Sequence, residues 1–560
     1  MRKYTVFSLG IIIIVFGSTF PLSTVRASND EMTTFYGSFY DNAVAIRNYY
    51  LHSGSGALRE VRNDPIIKTK TNLLIASTLL TEFNLGGSNV LQDIARSIVH
   101  ASTRYFDEAY TSDNAGWVSF FDFSKNENSY VKSQKFTHDQ VLMILSLALS
   151  YPNLASDDEF RYEYQEGITE TLDFINRNLL GNENGWIDSL FAVNRTSYTK
   201  NQFRLIENIC WTIWSILTFP DSIDSPFSLD DISQILDLIH TDRTYNGAVF
   251  NVLSPDWSSS DDVLKLRTNA LYGIINLMLY EKTAITNFLD RGKTIFDFLR
   301  NFMYDRGFGG FFDVVDKDGM LIVQRKSVVG NTMACLLSSK LGKFFPSNKT
   351  IETTLVRTNR FIEENLLEKN TGLYYITSER SGLPLTQHSL MSDAVRLWQR
   401  GNSLHIVNGS ISSEVSIGEK IKIDFHMYNP NDQNYTLYVV GDEIDPFNTT
   451  TTDSHLSNIL NLKDNAKLGY FNVKVQIKIL SGIVDQTTAL NVRIGSDRRL
   501  PQGLVYLIAL GILVGIVVVV RYPPRNLEEL LARLSSISAI EEESGGSHEG
   551  QSLPNEETSK

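Results

Sequence analysis

Between residues 35 and 400, apolar positions recur at helical spacing in two alternating kinds of stretch. One kind is amphipathic with a charged outer side, near residues 36–51, 88–107, 157–180, 227–240, 284–303 and 349–366. The other is apolar nearly all round, as in Leu142-Met143-Ile144-Leu145, Ile209-Cys210-Trp211-Thr212-Ile213-Trp214 and Ile274-Ile275-Asn276-Leu277-Met278-Leu279, the pattern of helices covered on most sides. A turn glycine separates the members of each pair, at Gly56, Gly116, Gly185, Gly247, Gly310 and Gly372, so the unit repeats roughly every 60 to 70 residues. Repeated helix–loop–helix hairpins of this length predict a closed, all-α (α/α)6 toroid over residues 30–400, with six inner and six outer helices.

After Arg400 the period changes from 3.6 to 2. Segments such as Lys420 to Met427, Tyr435 to Val440 and Tyr470 to Ile479 alternate between apolar and polar residues and are broken by turns such as Asn429-Pro430-Asn431-Asp432. They predict a small immunoglobulin-like β-sandwich over residues 403–496. No aromatic platform or ligand cluster stands out in it, so it reads as a spacer.

The ends have their own patterns. Arg2 and Lys3, an apolar run from Val6 to Phe20 and the small-residue stretch Val25-Arg26-Ala27 predict a signal peptide over residues 1–27. The apolar run Gly503 to Val520, flanked by Arg498, Arg499, Arg521 and Arg525, is about long enough to cross a bilayer and predicts a transmembrane helix over 503–520. Residues 521–560 then form a partly disordered cytoplasmic tail, and the expected location is a single-pass cell-membrane protein with its ectodomain outside. The net charge of −13 argues against a nucleic-acid partner. Cys210 and Cys335 fall on inner helices of non-adjacent hairpins and read as buried free thiols. Asn-x-Ser/Thr triplets at Asn194, Asn348, Asn408, Asn434 and Asn448 are compatible with an exterior protein.

Aligning the starts of the apolar helices puts Asn72, Gln140, Asn208, Asn269, Asn331 and Asp393 in one column. In a toroid the inner helices run the same way, so their first turns gather round one end of a central cup. The candidate catalytic residues there are Asp139, Glu207, His138, His388 and Asp393. Arg204, Asn208, Arg267, Asn269 and Asn331 are candidate substrate contacts, with Trp117, Trp186, Tyr245, Phe312 and Tyr375 as an aromatic rim. Aromatic walls with fixed polar groups suit a sugar, whose apolar faces stack on rings while its hydroxyls are hydrogen-bonded. Asp139 and Glu207 could act across a glycosidic bond as an acid/base pair, or be ion-pair partners of Arg204 or Arg267. The histidines titrate near neutrality and could instead abstract a proton. The column could equally arise from helix capping, and Asp313 reads as a loop-closing residue.

There is no Gly-rich phosphate loop, no His-Glu-x-x-His, no nucleophile elbow and no zinc-type cysteine pattern, so no cofactor and no metal is expected. The hairpins, with Gly309-Gly310-Phe311-Phe312-Asp313 and Lys135-Phe136-Thr137-His138-Asp139-Gln140, resemble the six-hairpin glycosidase-like superfamily. More narrowly, they are similar to N-acylglucosamine 2-epimerase-type toroids and to uncharacterised thioredoxin-fused toroid proteins. The resemblance covers about residues 35–400 and implies hydrolysis, elimination or epimerisation of carbohydrate. The epimerases carry a catalytic histidine in a His-x-x-Glu-Trp type segment; here the corresponding region reads His388-Ser389-Leu390-Met391-Ser392-Asp393, without the Glu-Trp.

Two readings follow. The first is a membrane-anchored extracellular carbohydrate-active enzyme, of glycoside hydrolase type, using Asp139 and Glu207. The second is a non-catalytic surface receptor or adhesion protein that uses the cup to bind a glycan or peptide.

Overall fold

The structure is a computed structural model. It describes residues 32–495 apart from 63–65, 104–115, 123–133, 155–159, 182–184, 187, 195–196, 202, 224, 226, 242–245, 385–387, 417–418, 431–433, 480–481 and 488–489. The expected signal peptide and cytoplasmic tail lie outside the described residues.

The α-helices occur in pairs. Helix α1 (Ser38–Tyr50) precedes α2 (Thr69–Asn84), α3 (Asn89–Thr103) precedes α4 (Thr137–Ser150), and α5 (Phe160–Phe174) precedes α6 (Ile206–Leu217). Helix α7 (Leu229–Thr241) precedes α8 (Leu266–Thr283), α9 (Thr286–Phe298) precedes α10 (Val328–Phe344), and α11 (Lys349–Asn365) precedes α12 (Leu390–Gly401). Each even-numbered helix packs on the next even-numbered one, and α12 packs back on α2, which closes the ring. The odd-numbered helices lie outside it. Their buried residues form mainly apolar stripes, as at Leu91, Ile94, Ile98 of α3 and Ile232, Leu236, Ile239 of α7, while α4 and α8 are buried along almost their whole length. That contrast is the amphipathic-versus-apolar alternation expressed as burial.

The first domain departs from the all-α expectation, because the loops between helices are partly β. Short strands lead straight into the inner helices at Ile66–Lys68, Gln134–Phe136, Arg204–Leu205, Val263–Lys265 and Arg325–Ser327. Each pairs antiparallel with a loop strand of the following hairpin: 66–68 with 120–122, 134–136 with 189–191, 204–205 with 252–253, 263–265 with 314–316, and 325–327 with 377–379.

The first N–H of each inner helix completes the stitching. Thr69 donates to the Ser119 carbonyl, Thr137 to Asp188, Ile206 to Asn251, Leu266 to Asp313, Val328 to Ile376 and Leu390 to Glu60, all at 2.8–3.1 Å. A helix start leaves N–H groups without intrahelical partners, and here the neighbouring hairpin supplies one for each helix. All six inner helices therefore begin on one face of the ring, which is the mouth of the cup.

The aligned polar column has a related role. Asn72 pairs both ways with the backbone of Leu58, Gln140 with Trp117, Asn269 with Val249 and Asn331 with Phe311, at 2.6–3.0 Å. These amides clamp the segment just past each turn glycine onto its own inner helix. Gly310 has φ +72°, and a Cβ there would stand 2.7 Å from the Phe361 ring and 3.0 Å from Asn331 Oδ1, so clamp and glycine require each other.

The second domain is a sandwich of antiparallel sheets. One has the strand order 32–35, 405–412, 420–428, 455–461; the other has 414–416, 490–495, 469–479, 435–441, 447–451, with 482–486 also paired to 469–479. Strand Met32–Phe35, at the beginning of the expected toroid segment, lies on the Asn408-bearing strand of the sandwich. Phe35, Ile406, Phe425, Val439, Val475 and Val492 are among its core residues. It packs against the inner-helix C-terminal end, where His405 meets Glu82 near the end of α2 and Asn408 donates to the Gly86 carbonyl. Cys210 and Cys335 are free and buried.

The expectation of a membrane-spanning helix is corrected. Among the described residues no helix is long and apolar enough to cross a membrane, and segment 503–520 lies outside them. The single-pass topology built on that segment, with the ectodomain outside, has no structural support and is set aside.

Candidate active site

The residues one and two positions upstream of the clamp column meet at the mouth. In the first four hairpins they are Lys70 on α2, His138 and Asp139 on α4, Glu207 on α6 and Arg267 on α8. In the last two they are Val329, Gly330, Met391 and Ser392, so the charged cluster occupies one side of the ring.

Glu207 is the hub. Arg267 Nε lies 2.7 Å from its Oε2 and Lys70 Nζ lies 3.7 Å from its Oε1. Its side chain is 14% exposed, that of Lys70 15% and that of Arg267 47%, so each reaches solvent in part. Behind them, His138 Nε2 is 3.1 Å from Asp139 Oδ1, and both side chains are buried. The His138 ring stacks on Phe136. Lys70 Nζ sits 5.3 Å from the Trp211 ring centroid. Trp211, Trp214 and Trp398 pack edge to face at 5.0–5.7 Å and form a buried aromatic cluster among the inner helices.

Asp188 completes the cluster. Its backbone carbonyl is held by Thr137, its Oδ2 accepts from Asn208 Nδ2 at 3.2 Å, and its buried Oδ1 has no hydrogen-bond partner among the described residues. Burial raises its pKa to about 7, against the opposing pull of Asn208 and Lys70. Burial pushes Glu207 the same way, but Lys70 and Arg267 together hold it below the usual carboxylate value. Burial lowers Lys70, with Glu207 and Asp139 opposing, and lowers His138 despite Asp139. Around one largely buried lysine, the surroundings thus raise one carboxyl and lower another.

Several expected site residues are elsewhere. Asn269 and Asn331 spend their amides on the clamps already described. Asp393 accepts from Tyr374 N and Tyr50 Oη, each at 2.8 Å, is buried, and is raised by that burial to about 7. Arg204 stacks over Trp257, 4.2 Å from the ring centroid, and donates to the Ser254 carbonyl, away from both acidic candidates. Trp117 is buried under α5, its indole N–H bonded to Thr171. Phe312 is buried beneath Lys326 and Arg380. Trp186 lies in strand Gly185–Trp186, and Tyr245 is outside the described residues. His388 and Tyr375 do come together, in the sixth hairpin: their rings stack at 4.7 Å and both bond Glu368. Asp313 accepts from the N–H and hydroxyl of Ser327.

Lys70, Asp188 and Glu60 are absent from the sequence-derived candidates. Lys70 occupies the same aligned position as His138 and Arg267, two residues before the clamp. Asp188 and Glu60 belong to the ring of residues whose carbonyls receive the helix starts; Glu60 accepts from Thr71 and Ser389. Among the described residues no group of His, Cys, Asp and Glu has the arrangement to hold a metal ion.

The ring of paired helices, closed on itself, is an (α/α)6 toroid fold. No family model and no curated protein matches the sequence. Among solved structures, a D-mannose isomerase is similar over 65% of this chain and 97% of its own, with a TM-score of 0.54 and 14% identity. Cellobiose 2-epimerase from Bacillus thermoamylovorans matches 65% of this chain and 98% of its own, with a TM-score of 0.54 and 10% identity. The cellobiose 2-epimerase from Spirochaeta thermophila matches 68% and 98%, with a TM-score of 0.51 and 11% identity.

Proposed function

We propose that the protein is a carbohydrate-active enzyme of glycoside hydrolase type, acting on a glycan bound in the cup. The observation that carries this reading is the meeting of Asp188 and Glu207 around Lys70, where burial raises the one carboxyl while Lys70 and Arg267 lower the other. Two titratable groups driven apart by their surroundings make an acid and a base at one pH. Asp188, partly protonated at neutral pH, would protonate the glycosidic oxygen as the bond breaks; its Oδ1 is unpartnered but buried, so this step requires the carboxyl to turn toward the cup. Glu207, kept anionic by Arg267 and Lys70, would activate water or stabilise the positive charge developing on the sugar. Asp139 would hold the neutral His138 and strengthen the negative field that keeps Lys70 charged.

The names of the solved neighbours support a sugar ligand and also favour a second reading, isomerisation or epimerisation of a free sugar, with neutral His138 as proton acceptor. Product analysis by NMR on a glycan panel separates the two. Hydrolysis releases new reducing ends, whereas epimerisation converts one sugar into another without cleavage. Binding with no product would leave the receptor reading.

A further inference from the structure

A second surface feature lies on the same face, over hairpins five and six, where the mouth carries no charged cluster. It is an open groove of about 840 Å³ whose lining includes Phe308, Ile322, Gln324, Arg325, Glu379 and Arg380. Phe308 is 56% exposed and Ile322 53%, so the groove offers an apolar ring face and an aliphatic edge to solvent, flanked by charged and amide groups.

The groove is built rigidly. Beneath it Lys326 is fully buried, and its ammonium reaches Asp305 Oδ2 at 3.1 Å, the Gly309 carbonyl at 2.7 Å and the Arg380 carbonyl at 3.0 Å. Those partners belong to both walls, the 305–309 turn and the 377–381 segment. Arg380 also bonds Asp305 Oδ2 at 3.1 Å. Burying a lysine is costly unless its donors are all used, and here they pin the two walls at a fixed width. A surface fixed in advance loses little entropy when it is occupied.

The groove is linked to the charged cluster through one sheet. Its strand Leu321–Val323 pairs with 314–316, which pairs with 263–265, the strand that runs into α8 just before Arg267. At the usual spacing of about 4.8 Å between strands, groove and cup are separated by roughly 10 Å of sheet.

We propose that this groove is a distal subsite for the same carbohydrate chain whose reacting residue sits in the cup, so that the substrate is an oligo- or polysaccharide. The inference rests on the cup being a glycan site. One sugar face stacks on Phe308, and Arg325, Glu379 and Gln324 supply donors and acceptors for its hydroxyls.

The test compares disaccharides with hexasaccharides of the same linkage, from gluco-, manno- and galacto-series, on the full chain. Wild type, Phe308→Ala, Phe308→Tyr and Glu207→Gln are each assayed for binding and turnover. The expected result is a wild-type preference for the hexasaccharide that Phe308→Ala reduces about tenfold in affinity, that Phe308→Tyr restores, and that leaves the disaccharide unaffected. If length makes no difference, or Phe308→Ala leaves the preference intact, the subsite is overturned while turnover sensitive to Glu207→Gln keeps the cup reading. If no glycan binds or reacts, both fall. If Phe308→Ala changes only the association state, the groove is a protein interface and the proposal fails.

Discussion

Arg267 Nε stands 2.7 Å from Glu207 Oε2, and that bond joins the first turns of the third and fourth inner helices at the mouth of the cup. Lys70 reaches the other oxygen from the first inner helix. The two cations are not equivalent. Half of Arg267 is in water, where an ion pair is worth at most about 1 kcal/mol, while Lys70 is largely desolvated.

Arg267→Ala should therefore change stability by less than about 1 kcal/mol. Lys70→Met should cost roughly 3 kcal/mol, because it leaves Glu207, Asp139 and Asp188 without their shared buried cation. Urea unfolding of the two variants checks the order; equal losses would show that Lys70 is not the partner that matters.

The clamp column makes a separate prediction. Asn331→Ala strands the buried N–H and C=O of Phe311, at a cost of about 3 kcal/mol. Because the amide faces the loop and not the axis of the ring, turnover per folded molecule should stay within about twofold of wild type. A large specific loss of turnover at unchanged stability would return Asn331 to the site.

Stability should fall as the solution is made more alkaline. Asp188 and Asp393 keep their protons in the folded state up to about pH 7, and the unfolded chain loses them near 3.8, so stability declines between those values and is level above them. Calorimetry between pH 5 and pH 8 should show that decline, and Asp393→Asn should remove about half of it, leaving the share of Asp188. A melting temperature that rises over the same range would contradict the burial of these carboxyls.

The contact between toroid and sandwich adds a further alkaline limb. Burial pulls His405 down, but its pairing with Glu82 at 2.8 Å, helped by Asp485 and the Ser403 carbonyl, raises it to about 9. A raised histidine contributes stability below its ordinary value of 6.5 and loses it as pH climbs through 9, worth roughly 3 kcal/mol in all. His405→Gln should abolish the part of the decline above pH 7; an unchanged profile would mean that the pair is not ionised.

The ring and the sandwich were legible because burial leaves a periodic trace. The all-round apolar pattern of Leu142 to Leu145 and the stripe of Leu91, Ile94 and Ile98 distinguish inner from outer helices without any coordinates. The short strands were not legible, since pieces such as Arg204–Leu205 have no room for a period and owe their form to pairing with the next hairpin. The candidate site was half visible. Alignment found the column that clamps loops, which recurs in most units for a structural reason, and the cup-facing charges lie one and two residues earlier. His138, Asp139, Glu207 and Arg267 were picked out by charge beside apolar helices. A lone lysine near a helix start, such as Lys70, reads as surface, and only the fold sets the loop residue Asp188 against Thr137 and Asn208.

The most direct measurement is NMR product analysis on a glycan panel with wild type, Asp188→Asn and Glu207→Gln, each with its melting temperature recorded. The account predicts new reducing ends with wild type, declining above about pH 7 as Asp188 ionises. Each amide variant should lose about 10³-fold or more in rate while remaining folded. Full activity in either variant, or cleavage that persists undiminished above pH 8, would contradict the assignment of Asp188 as acid and Glu207 as its anionic partner.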